Sequence, residues 1–100
     1  MAYKRRARVL FLGPPELAAT AAESALELGP EWLEPSTAEA PASGWADLVI
    51  TLDRASRDSL PALAATTRHK HWNADTRDEV RKRVAGMIGG MRLLARSSED

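Results

Sequence analysis

Two short, unbroken apolar runs and one long helical stripe organise the hydrophobic positions of this chain. Val9-Leu10-Phe11-Leu12 and Leu48-Val49-Ile50 are apolar at successive rather than alternating positions, the pattern of strands buried on both faces of a parallel sheet. Gly13-Pro14 stops the first run, and the Ala-rich segment behind it predicts a helix over residues 15–28 with proline at its first position. Gly29-Pro30 breaks that helix, Glu31 to Glu34 predicts a short strand ended by Pro35, and residues 35–44, rich in Pro, Ala, Ser and Thr, predict a crossover connection. Asp53 ends the second run and caps a short helix from Arg54 to Leu60. Pro61 interrupts it, and residues 62–64 continue as a turn. Thr67 to Trp72 predicts a more polar strand suited to a sheet edge.

The last segment is the longest. Val80, Val84, Met87, Ile88, Met91 and Leu94 or Ala95 recur at helical spacing, so one face of a C-terminal helix packs on the sheet. Asp75 or Thr76 caps it, and Asp78 and Glu79 complement its N-terminal dipole. Gly86, Gly89 and Gly90 weaken it by up to about 1 kcal/mol each, which predicts a bend or a close backbone contact. Alternating strands and helices imply an α/β fold, a three-layer arrangement of about four parallel strands flanked by helices. One domain spans residues 1–100, with flexible ends at 1–6 and 97–100.

Composition narrows the partners. With 44% hydrophobic and 28% charged residues the chain is apolar enough for a packed core. Fourteen basic residues balance fourteen acidic ones, so no overall field draws nucleic acid or an anionic membrane. Absence of cysteine excludes disulfides, thiolate metal sites and thiol nucleophiles. No apolar run approaches the ~20 residues that span a bilayer, and the stretch after Lys4-Arg5-Arg6 is too short for a signal peptide, so a cytoplasmic location is expected.

Four blocks in fixed order, Arg8 to Leu12, Ala46 to Asp53, His71 to Asp75 and Arg77 to Val84, together resemble the low-molecular-weight phosphotyrosine phosphatase and arsenate reductase family. The resemblance covers most of the chain and implies a truncated version of that fold, because the region between the second and third strands is shorter than the family's. In that family the first loop holds a cysteine nucleophile, five intervening residues, an arginine and then Ser or Thr, and a late loop supplies an aspartic acid. Here the cysteine position is Gly13, the arginine position Ala19 and the hydroxyl position Thr20. Asp75 stands where the general acid would sit, followed by Thr76 rather than the family's usual proline. The resemblance therefore implies a pseudo-enzyme, a noncatalytic binding or regulatory module without cofactor, whose partner is another protein or a second copy.

The loop chemistry leads the same way. A phosphate cradle aims backbone N–H groups and a cation at the anion from a helix N-terminus. Pro14 and Pro15 have no N–H, Glu16 puts a carboxylate where the anion would bind, and no Arg or Lys lies between Gly13 and Thr20. The vestigial loop and its neighbours, Gly13, Glu16, Thr20, Asp53 and Asp75, still form the candidate binding edge. The alternative is a hydrolase with a rearranged site in which Asp53, Asp75 and Thr20 hold Mg²⁺ and water. His69 and His71 share a strand face but have no obvious third metal ligand. Arg68, Lys70, Arg77, Arg81, Lys82 and Arg83 read as a solvated basic face, with Trp72 beside them as a candidate stacking ring. Trp32 and Trp45 read as core or edge packing.

Overall fold

The computed structural model describes residues 6–37, 45–60, 62–63 and 65–99, with the side chains of 92 and 94–99 excepted. Its strands are β1 (Ala7–Leu12), β2 (Leu33–Ser36), β3 (Leu48–Thr51) and β4 (Arg68–His71). Its helices are α1 (Pro15–Leu28), α2 (Arg54–Asp58) and α3 (Arg77–Glu99). The strands form one sheet in the order β2-β1-β3-β4, and every pair is parallel. The fold is thus a small α/β sheet, as the alternation of elements implies.

The two faces of the sheet follow from strand periodicity. Val9, Phe11, Ile50 and Leu52 share the larger core with Ala18, Ala21 and Ala25 of α1 and Val80, Val84 and Ile88 of α3. Small alanines on α1 let the two helices pack closely over the central strands. On the opposite face Leu10 and Val49 meet Ala46, with Trp45, Leu60 and Leu63 packed around them. These belong to the connections between β2 and β3 and between β3 and β4, so chain covers the second face too. Phe11 and Trp72 extend the larger core with ring centroids 6.1 Å apart.

Several predicted boundaries move. The second strand is Leu33–Ser36, not residues 31–34, and Pro35 lies inside it opposite Val9. Proline is tolerated there because β2 is an edge strand and needs no outward N–H. Thr76, not Asp75, caps α3: its hydroxyl accepts from the Glu79 N–H at 3.2 Å and lies 3.3 Å from the Glu79 carboxylate. Gly86, Gly89 and Gly90 make no close contact, because a Cβ built on any of them meets open space. The expected flexible ends and crossover fall partly outside the described residues, at 1–5, 38–44 and 100, as do the interruption at Pro61 and Ala64 of the turn behind it. No described helix is long and apolar enough to cross a membrane.

Ser24 is fully buried on α1, and among the described residues its hydroxyl has no hydrogen-bond partner. An unpaired buried hydroxyl destabilises by about 1–3 kcal/mol, and alanine is the better helix former. Ser24→Ala is therefore expected to raise stability by about 1 kcal/mol in urea unfolding, and a loss of stability would contradict the unpaired placement.

Candidate functional site

In parallel sheets of this kind ligands sit at the carboxyl ends of the strands, where adjacent connections leave in opposite directions. Here that place lies between β1 and β3, whose chains continue into Gly13 and Leu52. The Leu52 N–H donates to the Leu12 carbonyl at 2.8 Å, which holds the two exits together one residue beyond the paired strands. A Cβ built on Gly13 would stand 2.8 Å from the Leu52 Cβ. Glycine is required by this close approach rather than by an unusual φ, and any side chain at 13, cysteine included, would displace Leu52. Leu52, itself buried, fills the space where the strands part.

The first turn of α1 has little left to offer an anion. Pro14 is the N-cap and Pro15 the first helical residue, so neither supplies an N–H. The N–H groups of Leu17 and Ala18 both donate to the Pro14 carbonyl, at 3.0 and 2.9 Å. Within Pro14 to Ala18 this leaves the N–H of Glu16, whose own carboxylate repels an anion. Thr20 is turned along the helix, its hydroxyl donating to the Glu16 carbonyl at 2.8 Å. Ala19 is exposed and has no group to contribute. One cation does reach the loop, and from a distant part of the sequence: Arg77 at the start of α3 approaches the Glu16 carboxylate at 3.9 Å. Inspection of residues 13–20 alone misses it; the arrival of α3 beside α1 supplies it. An exposed pair of this kind contributes well under 1 kcal/mol, but it engages the positive charge that α3 brings to the loop.

Asp53 and Asp75 take different roles from those a carboxylate site requires. Asp53 is the N-cap of α2 and accepts from the Ser56 N–H at 2.9 Å. Hydrogen bonds from Ser56, its hydroxyl first and its backbone N–H second, hold the Asp53 carboxyl below the ordinary 3.8; His71 adds a smaller pull, and partial burial opposes them. Asp75 is exposed, two residues before Arg77, and forms no hydrogen bond or ion pair among the described residues. Gly13 against Leu52, and Glu16 beside Arg77, bring the three expected segments to one edge of the sheet. Their side chains are engaged locally rather than aimed at a common point.

His69 and His71 lie on the opposite sheet face from α1 and α3, and both reach the fully buried Thr51. The Thr51 hydroxyl is 2.9 Å from His69 Nε2 and 2.8 Å from His71 Nδ1. One threonine hydroxyl thus orients both imidazoles, and among the described residues no third His, Asp or Glu joins them as a metal-binding group.

Because the Asp53 pKa is lowered on folding, its contribution is complete above about 3.8 and is lost as pH falls through the lower folded value. Asp53→Ala is expected to lower stability by about 1 kcal/mol at neutral pH, with a smaller difference from wild type near pH 3; urea unfolding at both pH values checks this, and a difference that grows in acid would contradict it. No family model matches the chain and no curated protein matches it, so the functional reading rests on this geometry.

Proposed function

We propose that this chain is a noncatalytic member of the low-molecular-weight phosphotyrosine phosphatase and arsenate reductase scaffold, acting in the cytoplasm as a binding or regulatory module for a protein partner. The observation that carries the reading is the packing of Leu52 against Gly13. The position of the family's nucleophile is occupied by a glycine with no room for a side chain, at the head of a helix whose first two residues are prolines or follow one. The parallel sheet and its order β2-β1-β3-β4 are consistent with a doubly wound scaffold kept for its shape. A hydrolase built on Asp53, Asp75 and Thr20 is not favoured, since Asp53 caps α2 and Thr20 bonds within α1.

Purified protein is expected to hydrolyse p-nitrophenyl phosphate and to turn over arsenate no faster than a blank, with or without Mg²⁺. A saturable rate that falls in Asp75→Asn or Asp53→Asn would overturn the noncatalytic reading.

A further inference from the structure

The six cations Arg68, Lys70, Arg77, Arg81, Lys82 and Arg83 do not form one face. Arg77 and Arg81 turn toward α1, where they meet Glu16 at 3.9 Å and Glu27 at 3.4 Å. Arg68, Lys70, Lys82 and Arg83 turn the other way and line a groove of about 660 Å³ between β4 and α3. That volume lies within the roughly 300–1,000 Å³ of ordinary ligand sites. Its apolar lining includes Leu48, Trp72, Met87 and Met91, and none of the described residues that line it is acidic. Lys82 pairs with Asp78 at 3.2 Å; Arg68, Lys70 and Arg83 have no ion pair among the described residues.

The groove is a consequence of register. Arg68 stands beside Leu48 and Lys70 beside Ile50, so both share the sheet face that α1 and α3 cover. Long charged side chains cannot complete an apolar layer there, and α3 packs its Val80-Val84-Ile88 line toward the larger core instead. Gly86 and Gly90 keep its other flank low and open. Lysine at a sheet edge ordinarily guards against pairing. Such a guard does not require Arg83 on the facing helix, and like charges converging on an apolar trough repel until an anion joins them.

The second observation is the strand edge beside this groove. β4 pairs with β3 on one side, and no described strand lies on the other. Arg68 and Trp72 donate inward, to the Asp47 and Thr51 carbonyls. The two-residue period of a parallel ladder then points the N–H and C=O groups of His69 and His71 outward. A second copy is a poor occupant, because edge-to-edge pairing would set Arg68, Lys70 and the histidines against themselves.

We propose that β4 and the groove together receive an extended acidic peptide segment of a partner protein, whose groove-facing side chains, at every second residue, are by turns apolar and acidic. The segment adds a strand to β4 through the outward groups of His69 and His71. Its apolar residues lie on Trp72, Met87 and Met91, whose thioethers adapt to varied shapes, and its carboxylates meet Arg68, Lys70 and Arg83. This deepens the reading of the chain as a binding module and rests on it.

The test is an amide NMR titration of the full chain with a capped octapeptide, Val-Thr-Glu-Thr-Val-Thr-Glu-Thr, which presents valine and glutamate on one face of an extended strand. Saturable shifts at the His69 and His71 amides and the Trp72 indole are expected, with slowed exchange at those two amides. Affinity is expected to fall at least about tenfold in Arg68→Glu/Lys70→Glu and on raising salt from about 50 to about 300 mM. Gly86→Leu provides a variant that keeps the fold, since its side chain enters open space and improves helix propensity; it fills the groove and is expected to weaken binding comparably. No shift at about 2 mM peptide, equal binding of the same octapeptide with lysine in place of glutamate, or dodecanoate binding in the groove without the glutamate peptide would each overturn the proposal. Peptide failure in a protein that also turns over no phosphomonoester would remove the groove alone, whereas turnover would remove the module reading itself.

Discussion

Where β1 and β3 leave the sheet, their chains are locked together by the Leu52 to Leu12 backbone hydrogen bond and by the seating of Leu52 on Gly13. Central parallel strands with both faces covered need their exits close-packed, because a gap there would expose the ends of the core to water. Leu52 closes that gap from β3, and the absence of a side chain at 13 admits it. The start of α1 follows directly: with residue 13 held against Leu52, the chain turns at Pro14, whose carbonyl takes the first helical N–H groups. The same contact that completes the core therefore removes the crevice in which such sheets hold a ligand.

Electrostatics reinforce what packing imposes. An anion site at a helix start needs free donors and a free cation, and both have been diverted. The donors are absent at two prolines and spent at Leu17 and Ala18; the nearby guanidinium of Arg77 is drawn to Glu16. Asp53 binds Ser56 and stabilises α2, so its charge is best satisfied ionised and in place. Each group is accounted for by the stability of its own turn. Unbalanced polar chemistry is found elsewhere, in the cationic groove along β4 and α3.

Much of this architecture was legible in the chain because burial leaves a periodic trace. Val9 to Phe11, Val49, Ile50, Val80, Val84 and Ile88 are core in the structure, and Leu12, Leu48 and Met87 pack half-buried against it. The Asp53 cap was legible because an Asp at the end of a buried strand has one obvious set of donors ahead of it. What escaped were features set by contacts between distant segments. Pro35 reads as a strand end until β2 is seen to be an edge, and Asp75 and Thr76 are equal caps until the backbone chooses Thr76. Glycines at 86, 89 and 90 suggest a bend or a close backbone contact, yet only tertiary structure reveals that Gly86 and Gly90 border an open groove. Nor does the local sequence separate the two cations that serve α1 from the four that line the groove between β4 and α3.

The central claim is that packing has closed the strand-exit crevice to anions, and a titration of the folded protein with inorganic phosphate, followed at the backbone amides and repeated with arsenate, tests it most directly. The account predicts no saturable shift at Gly13 or at Glu16 to Thr20 up to about 10 mM, an occupancy limit corresponding to binding weaker than about −3 kcal/mol. Saturable shifts confined to those amides would contradict it, since they would require Leu52 to yield and the Glu16 pair with Arg77 to open for an anion.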